Sequence, residues 1–488
     1  MAKRKQPSHS PQAKHKNNGS PSQFDKRARL DRKNPLRKKT TKAKVPLVGP
    51  MLAYVISMAR MLDARTSFRL MIVMAGMMLS DDRRVASTWF VAGGVQDDWD
   101  RFYDCLISIG YRAQLLAKPL AKAVVRKFDP GSDGHLILAG DDSPTKRYGR
   151  HVEGAGVHHN PTPGPADGEW LYGHNWVSLC LLNTHPAWGV IALPLLSRLY
   201  VRAKNTADLT LKYGWEFKTK HQLLVELVTW FVNLINGMEM QCKIWLVVDG
   251  AYAAKTVLGP LRMQGVIIFS RLRKDAALFD LPSQPKTKQR GRPRVYGLNR
   301  ISLSKRAASR QGWQSITYHC RGSEVTRQYK SFQATSKLVG GVISVVIVQF
   351  EDGGWAAYFC SDPQMEVRDI LETVAARWAI EEHFHDVKEV WGAGQQQVRN
   401  VWSNIACWHL NQWMYTLVEL VSWDAPQAEL TDRSGRPWDN PNRRPSHADK
   451  RRSIAKQMLK KQFFASLPKR PEFKKIGRLI ADLISLCT

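Results

Sequence analysis

The chain has 488 residues, which is enough for two or more domains with a full hydrophobic core. It carries 73 Lys and Arg against 42 Asp and Glu, and the formal charge of +31 favours a nucleic acid, an anionic membrane surface or an acidic protein as partner. No apolar run reaches the roughly 18 residues of a membrane-spanning helix, which argues against a membrane protein. The N-terminus lacks the apolar segment of a secretory signal, which argues against a secreted protein.

Residues 1–46 are a basic arm that is rich in Ser, Pro, Asn and Gln. This composition predicts disorder in the isolated segment. We expect the arm to contact phosphates, and a solubilising tail is the alternative. Residues 47–130 show helical spacing of apolar residues in four runs: Met51–Met61, Phe68–Met78, Trp99–Ile109 and Leu115–Val125. These helices suit a DNA-binding domain, or a helical cap on the domain that follows.

Strand and helix signals alternate in residues 131–425, which we assign to one α/β domain with a mixed sheet and flanking helices. The predicted strands are His135–Gly140, Trp176–Leu182, Val190–Leu199, Lys243–Val248 and Gly265–Ser270, with a helix at His221–Ile235. Short β-type runs predict a β-rich insertion at about 275–362, and helical patterns return at 364–392 and 402–422. Residues 426–488 form a basic C-terminal region suited to DNA or dimer contacts.

Three acids stand out in this pattern. Asp141 follows the predicted strand that ends at Gly140, Asp249 follows Lys243–Val248, and Glu381 lies in a helical stretch. An acid at the end of a buried strand is costly to leave without a partner. Mg²⁺ and Mn²⁺ prefer oxygen-only ligands, so the three acids predict a carboxylate cluster that holds divalent metal. In so basic a chain, the natural substrate of such a site is a phosphodiester backbone.

The helix around Glu381 carries a second pattern. Arg377, Glu381 and Lys388 are spaced at i, i+4 and i+11, which keeps them on one face. An isolated Arg377–Glu381 pair would more often be a surface ion pair. The whole segment R-W-A-I-E-E-H-F-H-D-V-K, however, resembles the signature Y-x2-R-x3-E-x6-K of the IS-four-like bacterial insertion-sequence transposases. Val374 stands where that signature has Tyr, so the hold on the cleaved strand and the use of a hairpin intermediate stay open.

Two further segments resemble the same family. Asp141-Asp142-Ser143 is similar to its first motif, a strand followed by D-x-T or D-x-S, and Val248-Asp249-Gly250-Ala251-Tyr252 is similar to the second. The resemblance covers roughly residues 134–425. It implies an RNase H-like sheet and DDE-type chemistry, in which Asp141, Asp249 and Glu381 are catalytic and hold two Mg²⁺ or Mn²⁺ ions. Asp142 is the alternative to Asp141, because adjacent strand residues point to opposite faces.

The resemblance also implies a set of DNA contacts. Arg377 and Lys388 correspond to residues that grip phosphate. Arg290-Gly291-Arg292-Pro293 has the form of an AT-hook core, for which general DNA contact and minor-groove binding are both open. Arg271, just past a predicted strand end, could reach DNA or be an ordinary surface charge.

The favoured hypothesis is therefore a transposase that cuts and joins DNA at terminal inverted repeats and at a target. It would act as a homodimer in the DNA complex, without a membrane partner, in the bacterial cytoplasm and nucleoid. Seven Cys without a C-x-x-C pair agree with reduced thiols inside the cell. The alternative is an inactive or domesticated relative that only binds DNA. A basic chromatin-type protein is a third hypothesis, but it does not explain the three acids and the R-x3-E-x6-K helix in one chain.

Overall fold

The structure is a computed structural model. It describes residues 47, 49–80, 83–95, 98–132, 134–160, 163, 168–282, 294–431, 438–440 and 442–466. The predicted basic arm, the Arg290 and Arg292 segment and the tail beyond residue 466 lie outside these residues.

The described N-terminal part is helical, as the sequence predicts. The helices are α1 Gly49–Ala59, α2 Ala64–Leu79, α3 Ala86–Ala92, α4 Trp99–Tyr111 and α5 Ala113–Lys127. Asp63 begins α2 by accepting hydrogen bonds from the backbone N–H groups of Arg65 and Thr66. Pro119 does not end α5, whose buried side includes Leu116 and Leu120.

Twelve strands in the described part form one mixed sheet. The first six are β1 His135–Lys146, β2 Gly156–His159, β3 Trp170–His185, β4 Gly189–Tyr200, β5 Lys243–Val248 and β6 Ile267–Leu272. The helices α6 Ala207–Tyr213, α7 Lys220–Asn236 and α8 Lys255–Met263 lie between them along the chain, after a short 3₁₀ turn at Ala203–Asn205. Strand β1 pairs antiparallel with β3 and parallel with β5, and β5 pairs parallel with β6.

The predicted β-rich segment continues the same sheet. It contains β7 Leu278–Phe279, β8 Arg300–Ile301, helix α9 Leu303–Ala308, β9 Gln314–Cys320, β10 Ser323–Ser336, β11 Gly341–Gln349 and β12 Trp355–Cys360. Strand β12 pairs antiparallel with β6 and joins the segment to the central strands. The order from one edge is β2-β3-β1-β5-β6-β12-β11-β10-β7-β8, with β4 on β3 and β9 on β10.

Five more helices complete the described chain: α10 Val367–Ala376, α11 Trp378–Glu389, α12 Val401–Ser422, α13 Gln427–Leu430 and α14 His447–Ser466. Helix α12 is buried along nearly its whole length, and its Trp408 stacks on Trp176 of β3 with ring centroids 5.0 Å apart. One hydrophobic core runs through the N-terminal helices, the sheet and α12. In the described ranges, no helix has the length and apolar character that crossing a bilayer requires.

A buried charge cluster joins α14 to α12. Glu419 is 2% exposed and accepts hydrogen bonds from His447 Nδ1 at 2.7 Å and Lys450 Nζ at 2.5 Å. His447 Nε2 accepts a 2.8 Å hydrogen bond from Trp391 Nε1, in the segment after α11. Burial alone would raise the pKa of Glu419, but Lys450 and His447 lower it to about 2. The C-terminal helix is therefore tied to the core through ionic contacts shielded from water.

Replacing Gly110 tests the packing between the N-terminal helices and α12. A Cβ at Gly110 would lie 1.8 Å from the carbonyl oxygen of Trp402, so Gly110→Ala must push the two helices apart. We expect a loss of about 1–3 kcal/mol in the free energy of unfolding, measured by urea denaturation. The matched control is Gly259→Ala in α8, where nothing lies within 4 Å and the change should stabilise by up to about 1 kcal/mol. Equal stability of the two variants would contradict this packing.

The buried cluster predicts a pH-dependent effect of Glu419→Gln. The folded pKa of about 2 lies below the ordinary value of 4.5, so the ionised carboxylate stabilises the fold above about pH 4.5 and less as the pH falls toward 2. At neutral pH we expect the free energy of unfolding of the variant to be about 3–5 kcal/mol lower than that of wild type, because Lys450 is left buried without its partner. In urea denaturation the difference from wild type should shrink below pH 4.5. A constant difference down to pH 3 would show that the carboxylate charge is not its origin.

Candidate active site

The three predicted acids line one cavity of about 1600 Å³, here called the carboxylate cavity. Asp141 lies on β1, Asp249 directly follows β5, and Glu381 lies in the first turn of α11. The register of the parallel pair places Gly140 opposite Val248, and an acid follows each of them. The predicted strand end at Gly140 is wrong, because β1 continues to Lys146 through its antiparallel pairing with β3, so Asp141 lies inside the strand and only Asp249 follows one. The cavity also contains the predicted phosphate-binding residues Arg377 and Lys388.

Arg377 connects two of the acids. Its Nη1 donates to Asp141 Oδ2 at 2.8 Å, and its Nη2 donates to Glu381 Oε1 at 2.5 Å. The side chains of Arg377 and Asp141 are about one-fifth exposed, and that of Glu381 is 36% exposed. The i, i+4 pair predicted from the sequence is thus present, and the same guanidinium also spans to β1.

Asp142 points into a different set of contacts. Its Oδ2 accepts a 2.6 Å ion-paired hydrogen bond from Lys220 Nζ, and its Oδ1 accepts one of 2.7 Å from the Tyr252 hydroxyl. Both carboxylate oxygens are therefore engaged by protein groups, although the residue borders the carboxylate cavity. Burial, followed by the charge and hydrogen bond of Asp142, holds the pKa of Tyr252 well above its usual range, so the hydroxyl remains a donor.

The surroundings of Asp141 in the cavity disfavour the ionised form of its carboxyl group. Burial raises the pKa of Asp141 to about 7, and the charges of Asp142 and Asp249 act in the same direction, while Arg377 opposes the shift. Burial lowers the pKa of Lys388 to about 8. Within the described chain, Lys388 makes no ion pair or hydrogen bond, so its ammonium is available to an anionic group in the cavity.

The donor set fits a hard divalent cation by chemistry, since all three acids supply oxygen. Among the described residues, no group of three or more His, Cys, Asp and Glu side chains is arranged to hold a metal ion as it stands. The Arg377 guanidinium forms ion pairs with one oxygen of Asp141 and one oxygen of Glu381.

Arg147, which the sequence pattern does not reveal as a structural residue, anchors one wall of the cavity. It is 8% exposed, and its guanidinium donates to His174 Nδ1 at 3.2 Å and to the carbonyl oxygens of Gly394 and Gln396. Burial lowers the pKa of His174 to about 3, so the ring is a neutral acceptor. These bonds hold the segment that follows α11 against the end of β1. Only glycine fits well at position 394. Its φ is +99°, and a Cβ added there would lie 3.0 Å from the side chain of Thr145.

Other cavity residues also come from segments that no motif marks. Arg83 enters from the N-terminal helical region, Arg399 precedes α12, and Tyr148 borders the cavity with 91% of its side chain exposed. A single sequence offers no periodicity or spacing that would find such loop residues.

The remaining predicted site residues lie elsewhere. Arg271 is exposed on β6, where it pairs with Tyr358 of β12, and it does not line the carboxylate cavity. Val374, at the Tyr position of the signature, is half-buried in α10 and packs against the core. Arg290 and Arg292 fall outside the described residues.

Comparisons with solved structures give remote similarities. The cryo-EM structure of a piggyBac transposase synaptic complex with hairpin DNA shares 11% identity, covers 94% of this chain and 80% of that one, and has a TM-score of 0.34. The crystal structure of the NurA nuclease from Sulfolobus solfataricus shares 9% identity, covers 57% and 85%, and has a TM-score of 0.22. TM-scores this low do not establish a shared fold. No curated protein matches the chain.

A family model gives the assignment. The model described as DDE superfamily endonuclease matches residues 58–330, more than half of the chain. The matched range includes Asp141 and Asp249 and ends before Glu381. Because this match covers more than half of the chain, the chain belongs to the DDE superfamily endonuclease family.

Proposed function

We propose that the protein is a DDE transposase that cuts and joins DNA at the ends of an insertion sequence. The observation that carries this proposal is the meeting of Asp141, Asp249 and Glu381 in one cavity with Arg377 and Lys388. Membership of an endonuclease family supports phosphodiester cleavage, and the charge of +31 supports DNA as the substrate.

The strand topology supports an RNase H-like catalytic core. Strands β4, β3 and β1 are successive antiparallel neighbours, and β1, β5 and β6 are successive parallel neighbours. The five-stranded mixed sheet that the IS-four-like resemblance implies has its first acid on the first strand and its second acid after the fourth. When the small strand β2 is left out, Asp141 on the first strand and Asp249 after the fourth agree with that order. The strands β7–β12, between Asp249 and Glu381, support the implied insertion.

Asp141, Asp249 and Glu381 are the residues that would hold Mg²⁺ or Mn²⁺, with two ions per site implied by the resemblance. Bound there, the ions would activate an attacking oxygen and stabilise a leaving one. Asp142 is the weaker candidate, because Lys220 and Tyr252 already use its two oxygens. Arg377 orients two of the acids, and its planar donors also suit a phosphate.

Lys388 is the second phosphate-binding residue of the proposal. Lys388 lines the same cavity, where the nearby charge of Glu389 acts on it, and among the described residues it makes no hydrogen bond or ion pair within 4 Å. Arg271 remains a proposed DNA contact outside the cavity. Arg290 and Arg292, which lie outside the described residues, also remain proposed DNA contacts. We further propose a homodimer on paired DNA ends, acting in the bacterial cytoplasm and nucleoid. The alternative is an inactive relative that only binds DNA, for which Val374 in place of the signature Tyr leaves room.

Cleavage should depend on each acid of the triad. In Asp249→Asn or Glu381→Gln, one metal-holding oxygen is lost, and we expect nicking of a plasmid carrying the native element to fall more than about 100-fold, since even partners of ligands are worth ~10–100-fold. The matched control is Glu382→Gln, on the same helix but paired with Arg444 and outside the cavity. It should keep wild-type activity. Binding without cleavage by wild type, in Mg²⁺ and in Mn²⁺, would favour the inactive relative.

Substitutions of the neighbouring acids Asp141 and Asp142 should have different effects on the nicking rate in the same assay. Asp141→Asn should abolish metal-dependent nicking, because it removes the oxygen facing Arg377 and Glu381. Asp142→Asn should retain more than about a tenth of the wild-type rate and lose up to about 1 kcal/mol of stability, since it weakens the partly exposed Lys220 pair. The reverse ranking of the two nicking rates would reassign the metal-holding acid to Asp142.

A further inference from the structure

The sheet holds the first two acids of the carboxylate cavity in different ways. The ladder between β1 and β5 ends at the pair Gly140 and Val248, so Asp249 and the turn that follows it leave the sheet. Asp141 differs, because β1 continues to Lys146 through its pairing with β3. One acid is therefore fixed inside a strand, whereas the other lies on a segment that no strand pairing holds.

The charges of these two acids favour their separation. The negative charge of Asp249 contributes to the raised pKa of Asp141, because two ionised carboxylates in one cavity repel each other. Asp249 Oδ1 accepts a 2.6 Å hydrogen bond from the backbone N–H of Gly250, the next residue along the chain. That bond orients the carboxylate of Asp249, but it does not connect its segment to β1. A further contact is needed to keep the two acids together.

A hydrogen bond between Tyr252 and Asp142 supplies such a contact. The Tyr252 hydroxyl donates to Asp142 Oδ1 at 2.7 Å, and Tyr252 is only 3% exposed. The backbone N–H of Tyr252 donates to the carbonyl oxygen of Asp249 at 3.0 Å, so both residues belong to one turn. The bond therefore ties the turn that begins at Asp249 to the strand residue directly after Asp141.

The first turn of α7 closes this arrangement from a third side. Lys220 Nζ donates to Asp142 Oδ2 at 2.6 Å. His221 Nε2 lies 3.0 Å from the carbonyl oxygen of Ala251, and it donates there because a carbonyl oxygen only accepts. Strand β1, the start of α7 and the turn after β5 are thus each bonded to the other two.

We propose that Tyr252 is a positioning residue that holds Asp249 near Asp141 through Asp142, and that this contact raises the affinity of the acids for a divalent cation. The two adjacent acids of β1 then have separate tasks, since Asp141 serves the cation and Asp142 fixes the turn that carries Asp249. The inference rests on the proposed function for the presence of a cation site. The alternative is a hydrogen bond that only stabilises the fold.

The test measures Mn²⁺ binding by the whole chain without DNA, from the electron paramagnetic resonance signal of free Mn²⁺. Tyr252→Phe removes one hydroxyl and changes no charge. Without that bond the like charges of Asp141 and Asp249 separate more often, and the apparent affinity falls with the fraction of molecules that keep both acids in place. We expect Mn²⁺ binding to weaken about 3–10-fold, the worth of one hydrogen bond. Excess Mn²⁺ should overcome the accompanying loss of plasmid nicking.

The matched control is Tyr213→Phe, which removes a hydroxyl that donates to Glu153 Oε2 at 3.0 Å and does not line the carboxylate cavity. In urea denaturation both variants should lose a similar amount of stability, since each loses a hydroxyl–carboxylate bond. Only Tyr252→Phe should bind Mn²⁺ more weakly. An unchanged affinity in Tyr252→Phe, or an equal loss in Tyr213→Phe, would overturn the proposal.

A double-mutant cycle tests whether the effect passes through Asp142. Asp142→Ala removes both acceptor oxygens, so adding Tyr252→Phe to it should weaken Mn²⁺ binding by less than about twofold. A further loss as large as that of Tyr252→Phe alone would overturn the role of Asp142.

Asp249→Asn separates failure of this inference from failure of the proposed function. If wild type binds no more Mn²⁺ than Asp249→Asn, the cation site itself is wrong, and the positioning role falls with it. If wild type binds Mn²⁺ more tightly than Asp249→Asn, and Tyr252→Phe binds it as tightly as wild type, only the positioning role is overturned.

Discussion

The parallel pairing of β1 with β5 is the constraint on which the rest of the site depends. It brings together two segments that are more than 100 residues apart in the sequence, and its last pair is Gly140 with Val248. Asp141, inside β1, and Asp249, directly after β5, come next on the two segments, and the negative charge of Asp249 contributes to the raised pKa of Asp141. A one-residue shift in this register would turn Asp141 toward the side of Lys220 and turn Asp142 toward the side that Arg377 contacts. The buried runs on both strands make such a shift costly.

The position of the third acid, Glu381, depends on Arg377 and on contacts that lie farther from the carboxylate cavity. Helix α11 supplies Glu381, and Arg377 at its start bonds to both Asp141 and Glu381. Arg147 holds the segment after the helix by its bonds to Gly394 and Gln396, and Trp391 of the same segment reaches the buried cluster of Glu419 through His447. The described part of the C-terminal basic region therefore helps to hold the segment after α11 in place. Any contact that its surface makes with DNA would be an additional role. Charged side chains are buried there because each finds a partner.

Some of this arrangement can be read from the sequence, and the physical reasons differ by element. Asp141 and Asp249 could be selected from the sequence, because an ionisable group directly after a buried apolar run is costly to leave without a partner. The end of the first strand could not be placed, since β1 continues past Asp141 to Lys146 with polar side chains that give no apolar signal. The spacing from Arg377 to Lys388 defines one helix face without any tertiary information. In contrast, β10 was not predicted, since its alternating Thr, Arg, Gln and Lys side chains are largely solvated and give a weak apolar signal. Helix α14 was not predicted either, because its many Lys and Arg residues obscure the helical spacing of its apolar residues.

The network of the cavity walls was beyond sequence reasoning. Arg147 and His174 look like members of a polar loop, and only the fold shows that they are buried and bonded to each other. The same holds for Asp142, whose partners Lys220 and Tyr252 are 78 and 110 residues away along the chain. Contacts of this range carry no local periodicity, so their partners cannot be selected from one sequence.

We propose that Asp141, Asp249 and Glu381 together hold a divalent ion. The most direct test replaces Mg²⁺ by Fe²⁺ and adds ascorbate and peroxide, so that hydroxyl radicals formed at the bound ion cut the nearby backbone. We expect fragments that end near residues 141, 249 and 381, suppressed by excess Mg²⁺ and absent in Asp249→Asn. Cuts confined to the histidine-rich segment 151–174, or cutting near only one of the three acids, would contradict it.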